Sequence, residues 1–234
     1  MTLTPPLCEM LSDPLLVSRF ERYLRTLERL THAERRRTRH TPQAPCAQFY
    51  YDWIRQARQT FERWHCNLVS GFRHFQEIGS LEIVTCSGAH CMLPLCATQE
   101  AARAQLRLAV RNYQKHFGRS PRGIWLAECG YADGVDTLLH EVGIQYFFGD
   151  THAVLFAEPR PRYGNFAPVY CRNGVAVFAR DQESSKQVWS AEVGYPGDPD
   201  YREFYRDIGF DADEEYIRPF LHKNGLRRNL GIKY

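Results

Sequence analysis

One carboxylate at the end of a short apolar segment is the residue of this sequence best placed to do chemistry. The segment is Gly123-Ile-Trp-Leu-Ala-Glu-Cys-Gly-Tyr131, in which a buried-strand pattern leads to Glu128, with Trp125 and Tyr131 on either side. The residue at the C-terminal end of a parallel barrel strand faces the active-site mouth. A carboxylate can stabilise an oxocarbenium-like centre, and flat aromatic rings can stack on sugar faces. The segment therefore favours glycoside chemistry. The alternative is that Glu128 caps the following helix.

The composition is that of an ordinary globular protein and excludes several other classes. The chain has 234 residues, of which 44% are hydrophobic and 24% charged, which favours one domain with a sizeable core. A formal charge of +3 gives no electrostatic case for nucleic acid or membrane partners. No apolar run approaches the roughly 20 residues that span a bilayer, and the N-terminus has no signal-like core. We therefore expect a cytoplasmic protein; its oligomeric state is left open.

Eight cysteines raise the question of a metal site or disulfides, and their spacing argues against both. The nearest group is Cys86, Cys91 and Cys96, with His90 between them, and the sequence contains no Cys-x-x-Cys pair. Zinc sites usually pair ligands two to four residues apart and repeat the pair elsewhere. We predict reduced cysteines and no metal or other cofactor.

The apolar spacing between residues 14 and 148 predicts alternating helices and strands. In chain order the pattern predicts a helix over residues 14–37, a long helix or two joined ones from Phe49 with breaks at Gly71 or Gly79, a strand over 81–86, a helix over 99–117 capped by Thr98 and stopped by Gly118, a strand over 123–126, a helix over 133–142 and a strand over 145–148. Strands that alternate with helices form a parallel sheet, so the segments after the first two strands, 85–90 and 127–131, should open on one face.

The second half of the chain is richer in turn residues. Residues 169–171 and 175–178 flank Arg172-Asn-Gly174, which predicts a hairpin. Residues 181–200 are polar without a clear period, and a long irregular segment in a compact domain suggests a lid over a binding site. From Phe204 the pattern indicates a helix or turn followed by an Arg-rich stretch.

Several motifs together resemble glycoside hydrolase family 57. Trp125-Leu-Ala-Glu-Cys-Gly-Tyr131 resembles the nucleophile motif of that family, and Gly79-Ser-Leu-Glu-Ile-Val-Thr-Cys-Ser-Gly-Ala-His90 resembles its second motif in the α-1,4-glucan branching enzymes. The resemblance extends through Gly149-Asp-Thr-His152, residues 159–164, 181–190 and 194–207, and so covers nearly the whole chain. It implies an α/β fold, an incomplete (β/α)7 barrel of parallel strands with helical insertions, and retaining transfer on an α-glucan such as amylose or glycogen.

The resemblance also implies a domain layout. The whole chain, residues 1–234, corresponds to part of the catalytic domain. Residues 10–80 are expected to form a helical insertion, 81–180 the barrel strands and helices, and 181–200 the lid-like loop.

Site residues follow from the resemblance position by position. Glu128 falls on the nucleophile of the family, which attacks the anomeric carbon and forms a covalent glycosyl-enzyme. The 6-hydroxyl of a second glucan then accepts the sugar. His90 falls on a motif-two histidine that contacts sugar hydroxyls, with a loop histidine as the alternative. Trp125 and Tyr131 are expected to stack on glucose rings or to belong to the core. A further group is placed near substrate because its members lie beside strand ends or in the lid segment: His152, Arg180, Asp181 and Trp189.

The sequence departs from the family pattern at three places. The family's opening strand with its His-x-His motif and the later motif with the acid/base aspartate are not found, and Cys91 stands where branching enzymes usually have glycine. The departures indicate an internal piece of a branching enzyme, with its first strand and C-terminal helical part missing. We expect unpaired sheet edges and no appreciable turnover by the chain alone, because general acid catalysis typically contributes about 10²–10⁴-fold.

Two other functions remain open beside branching. One is an α-amylase or 4-α-glucanotransferase of the same family, which would differ in its products. The other is a non-catalytic α-glucan-binding protein in which Trp125, Trp189 and Tyr195 hold sugar without turnover.

Overall fold

A computed structural model describes residues 1–198 and 206–234 of the chain. Ten α-helices lie in these ranges: α1 Pro5–Ser12, α2 Pro14–Arg37, α3 Ala44–Arg63, α4 Leu68–Glu77, α5 Gln99–Phe117, α6 Val135–Glu141, α7 Thr151–Leu155, α8 Gln182–Trp189, α9 Ile208–Asp211 and α10 Glu214–Ile217. The strands are β1 Thr85–Cys86, β2 Gly123–Trp125, β3 Tyr146–Gly149, β4 Val169–Tyr170 and β5 Ala176–Ala179.

The chain divides into two compact units. The first consists of Met1–Asp13 and Leu68–Lys186 and contains all five strands. The second consists of Pro14–Asn67 and Gln187–Tyr234 and is built on α2 and α3. The segment expected as one helical insertion, residues 10–80, is thus shared between the two units, since α4 belongs to the unit with the sheet.

The sheet of the first unit has the strand order β1-β2-β3-β5-β4, and its first four strands are parallel. Ile124, Phe147 and Val177 lie in register on one face, where they join a core with apolar residues of α5 and α6. The register neighbours on the other face are Cys86, Trp125, Phe148 and Phe178. The two-residue period of a strand therefore gives the sheet one face against the helices and one aromatic face.

Most of the predicted elements are confirmed, and the local signals explain why. Helix α5 begins where the Thr98 hydroxyl accepts a hydrogen bond from the amide of Ala101, and it ends at Gly118 with φ +69°. The hairpin is confirmed as antiparallel β4 and β5, with Gly174 at φ +86° in the turn.

Three predictions from the sequence are wrong. The long helical region breaks at residues 64–67, where His65 and Cys66 adopt positive φ, and not at Gly71. The break expected at Gly79 is confirmed, since α4 ends at Glu77 and Gly79 has φ +76°. The strand expected over 81–86 is regular only at Thr85–Cys86. The segment predicted to be irregular forms helix α8 over Gln182–Trp189, whose short amphipathic pattern the polar composition hides. Residues 199–205, which include the end of the predicted lid and the start of the predicted helix or turn at Phe204, lie outside the described residues.

The outer edge of β1 is also not unpaired, contrary to expectation. Thr2 bridges Val84 in parallel, the amide of Leu3 donates to the carbonyl of Val84 at 3.0 Å, and the amide of Val84 donates to the carbonyl of Met1 at 2.8 Å. The N-terminal residues therefore supply the backbone partners that an edge strand would otherwise lack.

A buried carboxylate holds the second unit together. Glu34 of α2 is fully buried and accepts hydrogen bonds from the Arg37 guanidinium and from the hydroxyls of Tyr216 and Tyr234. Burial alone would raise the pKa of Glu34, but these donors outweigh it and hold the pKa below its ordinary value of 4.5. The ionised carboxylate therefore fastens the C-terminal segment to α2.

Replacement of Glu34 by glutamine should change the acid side of the stability profile. Because the pKa of Glu34 is lower in the folded than in the unfolded chain, its contribution is fully present above about pH 4.5 and is lost as the pH falls through the depressed value. We expect E34Q to be less stable by about 2 kcal/mol at pH 7, since Arg37 loses its partner. Its melting temperature should then fall less steeply than that of the wild type below pH 4.5.

Thermal unfolding followed by circular dichroism between pH 3 and 7 provides the measurement. E77Q, which removes an exposed pair with Arg73, is the control and should follow the wild type. If the melting temperatures of E34Q and the wild type fall equally steeply below pH 4.5, the role given to Glu34 is contradicted.

Candidate active site

The carboxyl ends of parallel strands bring three sequence segments to one edge of the sheet. Residues 87–90 follow β1, the short 3-10 turn Ala127–Cys129 follows β2, and Arg180 follows β5. Because β1 pairs directly with β2, the first two segments are neighbours. The prediction that segments 85–90 and 127–131 open on the same face is confirmed by the contact between His90 and Glu128.

Glu128 projects from a strained turn into solvent. Its backbone has φ 54° and ψ 26°, and Cys129 follows with φ 53°, so two consecutive non-glycine residues occupy the left-handed region. Such residues cost on the order of 1 kcal/mol each and cluster at functional sites. The amides of Cys129 and Gly130 donate to the carbonyls of Leu126 and Ala127 at 3.0 Å each and close the turn. The side chain of Glu128 is 76% exposed.

The alternative that Glu128 caps a helix is wrong. Helix α6 begins at Val135, and its N-cap is Gly134. Glu128 lies seven positions before the first residue of that helix, too far to bond its free amides. The turn presents the carboxylate to solvent at the sheet edge instead.

His90 is the side chain that the fold brings to Glu128. Its Nε2 lies 4.0 Å from Oε1 of Glu128, and its Nδ1 lies 2.9 Å from the sulfur of Cys86. The backbone of His90 also has positive φ, 55°. The fold therefore places His90 beside the carboxylate, as expected for a residue of the same site. Its contact with sugar hydroxyls stays a prediction.

The loop that carries His90 is anchored to α5. The amide of Gly88 donates to the carbonyl of Gln105 at 3.1 Å, and the amide of Ala89 donates to the side-chain oxygen of Gln105 at 2.8 Å. A Cβ on Gly88 would approach the Leu108 side chain to 2.8 Å and the carbonyl of Gln105 to 3.1 Å, so glycine favours this close approach of the loop to α5. Cys91, which stands where related motifs have glycine, does not need a left-handed backbone.

Arg180 is placed beside the turn that bears Glu128. Its Nη1 lies 3.9 Å from the sulfur of Cys129, and its carbonyl accepts hydrogen bonds from the Thr151 hydroxyl at 2.6 Å and the Asn165 amide at 3.4 Å. The fold therefore adds a permanent positive charge to the edge that holds the carboxylate.

The two aromatic residues around Glu128 make contacts within the protein. Trp125 ends β2, is half-buried and lies against Phe148, with ring centroids 5.8 Å apart. The Tyr131 ring stacks on Phe147 at 5.4 Å and its hydroxyl donates to Asp136 at 3.3 Å. Burial and the nearby Asp136 carboxylate raise the pKa of Tyr131, which keeps its hydroxyl protonated. Both rings retain partial exposure, so stacking on sugar stays a prediction.

The remaining predicted residues occupy different settings. His152 lies in α7 with Nδ1 3.7 Å from the carboxylate of Asp150 and is largely exposed. Asp181 precedes α8 and accepts a hydrogen bond from the amide of Ser184 at 2.8 Å. The hydroxyl of Ser184, together with that amide, holds the pKa of the Asp181 carboxyl below its ordinary value. Trp189 ends α8, is 80% exposed and belongs to the second unit.

Cys86 and the pair formed by Arg180 and Cys129 are contacts that sequence reasoning missed. The four-residue spacing of Cys86 and His90 is visible in the sequence, but spacing alone suggests only a metal pattern and does not show that the two side chains touch. In the part of the chain that the structure describes, no group of three or more His, Cys, Asp or Glu residues could hold a metal ion. Within the same ranges no helix is long and apolar enough to cross a membrane.

Glu128 lies at the carboxyl edge of parallel strands, where barrel enzymes hold their active sites, and carboxylates are the groups that cleave glycosidic bonds. The chain matches the sequence model of Glycosyl hydrolase family 57 over residues 9–224. It belongs to that family, and its sheet and helices form part of the (β/α)7 barrel that is the fold of the family.

Two solved structures and one curated relative show which proteins the chain is similar to. The alpha-amylase AmyC from Thermotoga maritima is 48% identical with a TM-score of 0.93, covering all of this chain and 46% of AmyC. A branching enzyme from Pyrococcus horikoshii is 33% identical with a TM-score of 0.77, covering 88% and 41% of the two chains. A 1,4-alpha-glucan branching enzyme from Thermococcus kodakarensis is 30% identical over 232 residues, covering 88% of this chain and 34% of the relative. The chain thus spans less than half of each.

Substitution of Asp181 tests whether its carboxylate caps helix α8. We expect D181A to destabilise the first turn of α8, because the amide of Ser184 loses its acceptor, while D181S keeps a capping oxygen. Hydrogen–deuterium exchange of residues 182–189, read by mass spectrometry, should be faster in D181A only. D133A removes an exposed carboxylate from a turn and serves as the control. Unchanged exchange in D181A would show that the cap does not hold this helix.

Proposed function

We propose that this chain carries the nucleophile of a retaining glycosyl transfer on α-1,4-glucans, with branching as the product-forming step. The observation that supports it best is the placement of Glu128, solvent-facing at the carboxyl edge of the sheet with His90 at 4.0 Å. Membership of Glycosyl hydrolase family 57 makes glycoside chemistry the natural use of such a carboxylate.

In the first half of the proposed reaction, an oxygen of Glu128 attacks the anomeric carbon of a glucosyl unit. The bond from that carbon to the glycosidic oxygen breaks, and the leaving oxygen takes a proton from an acid. The product is a covalent glycosyl ester on Glu128. Three quarters of the Glu128 side chain is open to solvent, so a polysaccharide can approach the carboxylate without any rearrangement of the turn.

In the second half, the 6-hydroxyl of another glucan attacks the same carbon. Its proton passes to the base form of the former acid, the ester bond breaks, and Glu128 is restored as a carboxylate. Two inversions leave the anomeric configuration unchanged. The new linkage is α-1,6, which is a branch.

Neighbouring groups support this assignment. The His90 imidazole can hydrogen-bond a sugar hydroxyl near the bond that is cleaved, and Arg180 places a positive charge beside the turn that holds the nucleophile. We propose that Trp125 and Tyr131 contribute faces for glucose rings, and that His152 and Asp181 lie at the margin of the site. The exposed Trp189 is proposed to offer such a face within the second unit.

Hydrolysis is the second candidate, and the alignment with AmyC favours it. That protein is named an alpha-amylase and is 48% identical over the whole of this chain, against 33% and 30% for the two branching enzymes. The two reactions share the glycosyl ester on Glu128 and differ only in whether water or a 6-hydroxyl opens it. The acceptor therefore decides between them.

Eight free cysteines support a reducing compartment, and we propose that the reaction takes place in the cytoplasm as part of α-glucan metabolism.

The nucleophile can be tested separately from acid catalysis. α-Maltosyl fluoride loses fluoride without a proton from an acid, so the first half-reaction depends on the nucleophile alone. We expect the wild-type chain to gain one maltosyl group on Glu128, seen by rapid-quench intact-mass and peptide mass spectrometry, and E128Q to gain none.

A matched control for this experiment is E100Q. Glu100 has a similarly exposed side chain, 81% against 76%, and lies in the first turn of α5. E100Q should gain the maltosyl group on Glu128 as the wild type does. The assignment of Glu128 fails if the wild type remains unlabelled or if the group is found on another residue.

The fate of the labelled chain separates branching from hydrolysis. The second half-reaction needs a base, so formate is added as an external base together with maltohexaose. We expect the maltosyl group to transfer to a 6-hydroxyl, which gives an α-1,6 anomeric signal by proton NMR and a product cleaved by a debranching enzyme. Free maltose as the main product, with or without acceptor, would establish the hydrolytic alternative. Glycogen retention in affinity electrophoresis, with no label, would instead support binding without catalysis.

A further inference from the structure

The imidazole of His90 has a second neighbour, the thiol of Cys86. None of the similarities to known proteins assigns a role to this thiol. Cys86 is the last residue of β1, is completely buried and lies in register with Trp125 at the end of β2. Its sulfur is 2.9 Å from Nδ1 of His90, four residues further along the chain. The other ring nitrogen of His90, Nε2, is the atom near Glu128, at 4.0 Å. The imidazole of His90 therefore lies between the thiol of Cys86 and the carboxylate of Glu128.

Only one arrangement of protons satisfies both contacts of a neutral His90. If Nδ1 carried the proton, the lone pair of Nε2 would face the negative oxygen of Glu128 and repel it. If the Cys86 thiol donates its proton to Nδ1, the proton of the ring lies on Nε2 and points toward the carboxylate. Burial raises the pKa of the Cys86 thiol, and the nearby Ser87 only partly opposes this, so the thiol keeps the proton that it donates.

The geometry points to Cys86 as a positioning residue that fixes His90 in its Nε2-protonated form and aims that N–H at Glu128. This inference rests on the proposed function for its consequence in catalysis, but the tautomer itself is a property of the folded chain. A donor fixed at Nε2 suits the glycosyl transfer, because it attracts the carboxylate across 4.0 Å before attack and can bond a sugar hydroxyl afterwards.

The main-chain contacts around His90 leave the orientation of its ring to side-chain contacts. The ring stands on a residue at φ 55° in a turn closed by the amide of His90 to the carbonyl of Ser87 at 2.9 Å, and by the Ser87 hydroxyl to the carbonyl of Cys91 at 2.9 Å. These bonds fix the main chain but not the rotation of the imidazole, and 45% of the His90 side chain is exposed. The contact with Cys86 is the one that sets the ring orientation from the buried side.

The tautomer can be measured directly by two-bond proton–nitrogen correlation NMR at about pH 8, where an ordinary imidazole is neutral. The chain has nine histidines, and a spectrum of H90Q assigns the signals of His90 by their loss. We expect the wild type to show the pattern of a single Nε2-protonated ring with widely separated nitrogen shifts. A wild-type spectrum of the Nδ1-protonated form overturns the inference without any variant of Cys86.

Variants of Cys86 test what holds the tautomer. We expect C86S, whose hydroxyl can still donate, to keep the wild-type separation of the two nitrogen shifts. In C86V, which has no donor, the separation should shrink as the two tautomers exchange. The control is C8V, which changes a cysteine of the same unit that is 1% exposed and distant in sequence from His90; it should leave the His90 signals unchanged. A His90 spectrum in C86V identical to that of the wild type overturns the inference.

The same variants are then compared in the maltosyl fluoride reaction. We expect labelling of Glu128 to slow by about tenfold in C86V and to stay within about threefold of the wild type in C86S and C8V, the size typical of one lost polar contact. Equal labelling rates in C86V and the wild type overturn the consequence for catalysis. Failure of the proposed function is distinguishable, since the wild type would then remain unlabelled while its His90 tautomer is still read by NMR.

Discussion

The parallel pairing of β1 with β2 is the constraint on which the candidate active site depends. Cys86 opposite Trp125 sets the register, and this register brings the segments after the two strands to the same edge. His90 and Glu128 are 38 positions apart in sequence, yet this register brings Nε2 and Oε1 to 4.0 Å. A shift of one residue in either strand would exchange its two faces and separate the two groups, because side chains alternate along a strand.

The site combines strained backbone with a stable frame. His90, Glu128 and Cys129 all have positive φ without being glycine. Such conformations persist only where surrounding contacts determine them. Here those contacts are the hydrogen bonds of Gln105 to the His90 loop and the closed turn after β2. Below them lies a core in which Ile124 and Phe147 are nearly inaccessible to solvent. The frame thus fixes the directions in which the imidazole and the carboxylate point.

Similarity to both an alpha-amylase and branching enzymes is understandable from what this part of the fold does. A retaining hydrolase and a retaining transferase form the same covalent intermediate, and the roles proposed here for Glu128 and His90 concern that shared step. The choice of acceptor depends on which groups exclude water and hold a second glucan.

The sequence by itself determined the main elements, and it singled out Glu128 as a carboxylate at the end of a strand. Local signals act over a few residues, so the Thr98 cap, the stop at Gly118 and the turn at Gly174 could be recognised without coordinates. The break at residues 64–67 and the helix α8 could not, because positive φ at His65 and Cys66 and a short polar helix leave little trace in composition. The segment motifs placed Glu128 and His90 in one site.

Only the tertiary structure decided which partners those residues have. The sulfur of Cys86 behind His90, Arg180 beside Cys129, and the capping role of Asp181 each depend on rotamers and on distances between segments. The physical reason is that local sequence fixes backbone preference over a turn or two, whereas the direction of a side chain at a strand end is set by neighbours that the sheet register brings from elsewhere in the chain.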